Sequence, residues 1–442
     1  MAALFSKILH KFSKVRWLLV VLVLVYFIRV LVLGAGDFAV YWGASKALSA
    51  GKMIYHVPYL VNPSSDEWCE YSYSPFFAFI LMPFSWLPIK VADALWLVLN
   101  MVILFRIFDL IIVFLDIKKS LTTKEYRWWV FGTLLFSTRF ILYNFDLSQA
   151  TIIMLYGSLE SLRFAIKRQW AWAGALLATV ITIKLMPLVM LPYLFWRRYW
   201  QAGLATLGFI VLFLITPSVL YTWNDYLSML KEWAIVLNPA NDDFTIKQNV
   251  IAESIHSLSG FIPAFFTNDV TRYDMNRHFM DLDNSTMVMV LNLVRLFFIG
   301  LTLIFLKTKP FVAINEKKRL FWEVSYLMIA MSLIFPHQQK YAFILILPDS
   351  AYVLFSLMMM KKTGFYLKNK SLFYTTVTLF TIIWLLTTGS TDGIIGRELY
   401  NYGQYFKLIT WGTMLLIMPL YLCKPYFLNT MKKKPYKVSK SL

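Results

Sequence analysis

Apolar runs of roughly twenty residues, the length that carries a helix across a bilayer, recur from Trp17 to the end of the chain. They fall near 17–33, 91–115, 128–145, 147–166, 170–183, 186–196, 201–221, 286–306, 320–336, 341–360, 371–388 and 405–422. The pattern predicts an all-α, polytopic integral membrane protein of about 12 transmembrane helices joined by polar loops. Two places strain this reading. The stretch Pro75 to Pro88 is apolar but short and bounded by prolines, which suits an interfacial or half-inserted hairpin. The segments flanking Lys184 are also short for spans, as in tilted or broken helices whose freed backbone groups are covered by protein.

Composition agrees with a bilayer location. Of 442 residues, 59% are hydrophobic and only 15% charged, too apolar a balance for a soluble chain. The first run lacks a small-residue cleavage site and reads as a retained span. The formal net charge of +19 does not point to nucleic acid, because the basic residues sit between apolar runs and so set topology. Lys7, Lys11, Lys14 and Arg16 precede the first span. Later clusters lie at Lys118–Arg127, Arg163–Arg168, Arg197 and Arg198, Lys307–Arg319, Lys361–Lys370 and the 424–442 tail. All are cytoplasmic at once if the twelve segments cross, with both termini on the cytoplasmic side. The alternate loops then face outward: residues 34–90 form a first extracytoplasmic loop with interfacial helices, and residues 223–285 a large acidic one, within a single membrane domain. On this topology Cys69 and Cys423 lie on opposite faces.

The opening of the first outer loop, GAGDFAVYWGASKALSAGKMIY from Gly34 to Tyr55, holds the first candidate chemistry. Gly34 and Gly36 break the span, Asp37 is placed to cap a helix, and Gly51 ends it. Asp37, Tyr41, Ala44 and Leu48 share one face of that helix, away from Trp42 and Lys46. An aspartate in this position is ordinarily a cap. Here it keeps company with other polar residues that the topology puts on the same side: Asn144, Asp146, Ser148 and Gln149 at one turn, Lys184 before Pro187 at the next, Gln248 and Asn249 in the acidic loop, and FPHQQKY with His337 and Lys340. Singly, each has a plain reading, Lys184 snorkelling to the interface, His337 solvated in a turn, Gln149 bonding across helices. Together they describe an extracytoplasmic polar cavity.

The residues Asp37, Phe38, Tyr41, Ala44, Ala50, Gly51 and Tyr55, followed by YSPFFAFILMPFSWLP from Tyr73 to Pro88, resemble the amino-terminal signature of glycosyltransferase family 87. Ser148 and Gln149 resemble its Gly-Gln turn, Ala173, Gly174, Lys184 and Pro187 its Ala-Gly and Lys-x-x-Pro segment, and Gln248 sits where the family often has Asn-Gln-Ser. The resemblance runs from about Gly34 to Pro348. Three departures stand out: serine for glycine at 148, Asn249 after Gln248, and His337 directly after Phe335-Pro336.

The resemblance implies a GT-C-type fold and a mannosyltransferase-like enzyme, and no ligand spacing in the sequence calls for a metal or cofactor. Its partners would be a polyprenyl-phosphate sugar donor and a lipid-linked or surface glycan acceptor, met on the outer face of the bilayer. In a single inverting displacement Asp37 is the expected general base. Lys184, His337 and Lys340 are expected to meet the departing phosphate, and Tyr41, Gln149, Gln248 and Asn249 to position sugar hydroxyls. Glycoside hydrolysis, by contrast, needs two carboxylates at a set spacing. The rival readings are a polyprenyl-linked lipid or sugar transporter or flippase, which would favour repeated halves and midplane charges, a non-catalytic envelope-assembly protein, and a polysaccharide ligase or polymerase using a lipid diphosphate.

Overall fold

The computed structural model describes residues 35–62, 67–237, 253–267 and 275–425. Among them the chain is almost wholly helical, with one two-stranded antiparallel sheet that pairs Pro58–Asn62 with Glu67–Glu70. Every anticipated apolar segment after the first coincides with helix, including Ile89–Leu115, Thr123–Asp146, Thr151–Ile166, Asn284–Leu306, Lys317–Ile334, Leu347–Lys362 and Lys370–Thr387. The first, 17–33, lies outside the described residues. Five of the described helices are long and apolar enough to cross a membrane, or six if the bent pair Arg397–Tyr405 and Leu408–Leu422 is one broken span. The chain is therefore a membrane protein, and twelve full crossings exceed what helix length and apolarity establish. Trp170–Ile183 and Met190–Trp196 are the clearest shortfalls, since a helix rises only about 1.5 Å per residue.

Proline explains the short pieces. The helix Trp170–Ile183 stops at Lys184, which is extended at φ −150° and ψ 136°. Continuing it would drive the Pro187 ring into the carbonyl of Ile183, and the chain resumes as a 3₁₀ turn over Met186–Val189. The Pro75–Pro88 stretch folds as two short helices, Pro75–Ile80 and Met82–Ser85. Ser74 caps the first by accepting from the Phe77 amide at 3.3 Å, and a proline in the first turn suits a position whose N–H has no helical partner.

The fold divides into two compact units. The first gathers the described residues of Met1–Phe105, Phe145–Ile153 and Val211–Leu237. Its core is aromatic: Tyr41 meets Tyr73 at 4.9 Å and Phe77 at 5.1 Å between ring centroids, and Phe38 lies 5.5 Å from Trp96. Such pairs add about 0.5–1.5 kcal/mol each beyond the area they bury.

The second unit gathers the described residues of Arg106–Asn144, Met154–Ile210 and Asn238–Leu442. Lys317–Ile334 is buried on nearly every face, as suits the apolar residues that dominate it after its charged first turns. Helices Lys370–Thr387 and Leu408–Leu422 pack closely because Gly412 leaves room for Thr387, whose methyl would lie 2.6 Å from an added Cβ. Arg197, which sequence position puts among the loop charges, is instead fully buried. It pairs with Glu323 at 2.7 Å and 2.8 Å, and Tyr193 donates to the same carboxylate at 3.1 Å. A buried pair of this kind is tolerable only when its donors and lone pairs are satisfied, as they are here.

Candidate active site

In the first unit, Phe38–Ser49 forms the expected helix and ends at Ala50, with Gly51 in the left-handed region at φ +67°. Tyr41, Ala44 and Leu48 face inward, while Lys46 is exposed and stacks over Trp42 at 4.7 Å. The capping role expected of Asp37 is not what the structure has. Asp37 occupies the N-cap place, yet its backbone is already helical at φ −62° and ψ −17°, and its side chain makes no capping hydrogen bond. A helical backbone turns the carboxylate away from the first-turn amides that an extended cap residue would reach.

The Asp37 carboxylate is committed to Gln149 instead. Gln149 Nε2 donates to Asp37 Oδ2, Gln149 Oε1 accepts from the Tyr41 hydroxyl at 3.2 Å, and Tyr41 shares a 2.8 Å hydrogen bond with Tyr73. The amide orientation is self-consistent, because the flipped amide would set its oxygen against the carboxylate. Burial first, and then the charge of Asp37, push the Tyr73 hydroxyl above its ordinary range, so it remains a protonated donor.

Backbone geometry seats this network. The Asp37 amide donates to the Leu147 carbonyl at 3.0 Å, and Gly36, at φ +54°, runs so close that an added Cβ would meet the Leu147 backbone at 3.0 Å. Ser148 is also left-handed, at φ +49°, and its carbonyl accepts from Trp96 Nε1 at 2.8 Å. That conformation favours glycine, so the serine stands in a glycine-type turn that turns Gln149 inward, leaving it 2% exposed.

In the second unit, the turn after Lys317–Ile334 gathers basic groups. Lys184 Nζ donates to Gln338 Oε1 at 3.3 Å and lies 5.3 Å from the Tyr341 ring centroid. His337 is half-buried with a left-handed backbone at φ +57°. Burial, then the positive charges of Lys184 and Arg295, hold its pKa down to about 4. It is neutral near pH 7, so it can donate or accept a hydrogen bond but brings no charge. Lys340 is buried, bonds the Tyr400 hydroxyl, and lies 4.9 Å from the Tyr143 ring centroid.

Of the residues singled out in the sequence, Asp37, Tyr41 and Gln149 thus meet in the first unit, while Lys184, His337 and Lys340 gather along one turn of the second. Gln248 and Asn249 lie outside the described residues. Sequence reasoning passed over several partners: Tyr73 beside Tyr41, and in the second unit Arg139, Tyr143, His256, Arg295, Gln338 and Tyr400. Arg139 and Arg295 carried a signal, each an arginine inside an apolar run.

The model of glycosyltransferase family 87 matches residues 71–336. The matched region includes Gln149 and Lys184, begins after Asp37 and ends one residue before His337. No curated protein and no solved structure matches the chain. Well over half of the sequence fits that one family, and its apolar helices suit an enzyme that works in a bilayer: the chain belongs to glycosyltransferase family 87 and is a membrane glycosyltransferase.

Proposed function

We propose that the protein transfers a hexose, mannose by family resemblance, from a polyprenyl-phosphate donor to a hydroxyl of a lipid-linked or surface glycan acceptor on the extracytoplasmic face of a bacterial inner membrane. The observation that carries this reading is the commitment of Asp37. A carboxylate that is not capping its helix, and that is oriented by an amide backed by two tyrosines, has the form of an oriented base.

In the displacement, Asp37 takes the acceptor hydroxyl proton as the oxygen bonds to the anomeric carbon. The bond from that carbon to the phosphate oxygen breaks, its electron pair leaves on the lipid phosphate, and the configuration inverts. One carboxylate suffices, and no covalent enzyme intermediate forms. Lys184 and Lys340 stabilise the departing phosphate by charge-assisted hydrogen bonds, and neutral His337 can add a hydrogen bond. Tyr41 and Gln149 hold Asp37 and border the acceptor hydroxyl; Gln248 and Asn249 are assigned to the sugar by resemblance alone.

The test is sugar transfer from radiolabelled polyprenyl-phosphate mannose in membranes carrying wild type, Asp37→Asn or Asp37→Ala at matched protein levels. Transfer by wild type that collapses in both variants supports Asp37 as the base. Full transfer by Asp37→Asn refutes that role. Absence of transfer by wild type, in membranes supplied with glycolipid acceptors, refutes the donor assignment.

A further inference from the structure

The second unit holds more positive charge than one departing monophosphate calls for, and it lies in two sets. One consists of Lys184 and Arg295, which both act on His337. The other surrounds His256, which is fully buried and lies within the fields of Lys407, Lys340 and Arg139. Arg139 is only 7% exposed and Lys340 only 8%. Both meet Tyr400: Lys340 bonds its hydroxyl, and the Arg139 guanidinium lies 5.4 Å from its ring centroid.

The hydrogen bonds of this second set are incomplete: Arg139 Nη2, Gln404 Nε2 and His256 Nδ1 are buried without a hydrogen-bond partner among the described residues. Arg139 Nη1 bonds Ser390 Oγ at 2.8 Å and the Thr387 carbonyl, but its Nη2 has no acceptor among the described residues. His256 shares a 2.8 Å bond with Gln404 Oε1, which leaves the buried Gln404 Nε2 likewise without an acceptor. Neither Arg139 nor Lys340 pairs with a carboxylate among the described residues. The Asp392 charge acts on Arg139 from a distance, and Glu253 acts on Lys407, which Arg277 also faces. Buried donors are normally satisfied, and buried charges normally paired. Unspent N–H groups beside an arginine and a lysine are the complement of a multiply charged oxyanion, and a guanidinium and an ammonium together suit phosphate.

We propose that Arg139, Lys340, Tyr400 and Gln404 form a second phosphate subsite, distinct from the Lys184–His337 set. The substrates of the transfer therefore bring two phosphate groups to this unit: either the donor is a diphosphate, or the acceptor carries a phosphate of its own. The inference rests on the polyprenyl-phosphate reading above and names a substrate class within it. Lys340 moves accordingly from the leaving monophosphate to the second group. Tyr400 and Gln404 lie beyond the family match, which ends at residue 336, so the subsite draws on the carboxy-terminal helices of this chain.

The test is equilibrium binding of polyprenyl monophosphate and polyprenyl diphosphate, of equal chain length, to the full-length protein in lipid nanodiscs, with stoichiometry read by native mass spectrometry. A diphosphate bound about tenfold or more tightly than the monophosphate, with the advantage lost in Arg139→Gln, supports a diphosphate donor. Two monophosphates per chain, falling to one in Arg139→Gln, support a phosphorylated acceptor. One monophosphate per chain with no diphosphate advantage overturns the subsite and leaves the donor reading intact, as does an advantage that survives Arg139→Gln. Binding of neither lipid by wild type overturns both. Because Arg139 also bonds the 370–387 helix, Arg139→Lys is run alongside; it keeps the charge, loses the fork, and is expected to lose part of the advantage.

Discussion

In the first unit the Asp37 carboxylate is oriented through a chain of neutral groups: Gln149 donates to Asp37, Tyr41 steadies Gln149, and Tyr73 steadies Tyr41. Around the 337–341 turn of the second unit neutral groups accept from cations, with Gln338 taking Lys184 and Tyr400 taking Lys340. A neutral frame orients an acid–base group without cancelling its charge. A cationic cluster holds a fixed positive potential at a water-poor site, which is what a leaving phosphate needs. On the proposed mechanism the comparison separates proton transfer from charge stabilisation, and each half can be broken alone.

The largest expected effect is on the first half. Asp37→Asn and Asp37→Ala should lower transfer by about 10²–10⁴-fold, the span usually assigned to a positioned general base. Asp37→Asn keeps an oxygen that can accept from Gln149 Nε2 and should melt within about 1 kcal/mol of wild type, whereas Asp37→Ala leaves that buried amide unsatisfied and should lose about 1–3 kcal/mol, checked by thermal unfolding in detergent. A large stability loss in Asp37→Asn with proportionate activity loss would return Asp37 to a structural role.

Next comes Lys184→Gln, which removes a cation that the proposed mechanism sets against the leaving group. A loss of about 10²–10³-fold in turnover is expected, comparable to deleting one transition-state donor, with little change in the binding of neutral acceptor analogues. Equal losses for donor and acceptor binding would mean that Lys184 shapes the fold instead.

The second unit also supplies a cation that should behave quite differently. Arg197 and Glu323 are both fully buried and paired, so Glu323→Gln leaves an arginine without its counter-charge. A destabilisation of about 3–5 kcal/mol is expected, visible as a lowered melting temperature. Turnover per folded molecule should stay close to wild type, the reverse of the Asp37 and Lys184 patterns.

These contrasts mark what was legible in the sequence. Apolar runs gave the helices because their signal is local and long, and the break at Lys184 was legible from Pro187. Helix period placed Asp37 and Tyr41 on one face, and topology put Gln149 on the same side of the membrane, but the hydrogen bonds that join the three depend on the fold, since Gln149 lies more than a hundred residues from Asp37. Asp37 stood between a cap and a base in the sequence because capping is a matter of φ and ψ, which residue type does not report. Arg197 was misread as a loop charge for a related reason: its partner Glu323 lies more than a hundred residues away. The same distance hid His256, Tyr400 and Gln404, which have no meaning as a site until the fold gathers them. Ser148 was noted as a departure from glycine, and its left-handed backbone now explains the family preference. Ser148→Gly should be neutral to stabilising by up to about 1 kcal/mol.

The smallest expected effect concerns pH and tests whether His337 belongs with the cations. Its folded pKa, about 4, lies below the ordinary value of 6.5 because burial, Lys184 and Arg295 disfavour the charged form. The unfolded chain therefore binds more protons between these values, and stability linked to His337 is full above pH 6.5 and falls as the pH drops toward 4. Melting temperatures over this window should fall less in His337→Gln than in wild type. The rate of transfer between pH 6.5 and 8 should keep the same profile in both proteins, since the wild-type imidazole is neutral throughout. A wild-type activity limb centred near 6.5 that vanishes in His337→Gln would mean that the imidazolium does form in the working enzyme. His337 would then be one of the phosphate-facing charges, and the contrast between a neutral turn histidine and its flanking lysines would fail.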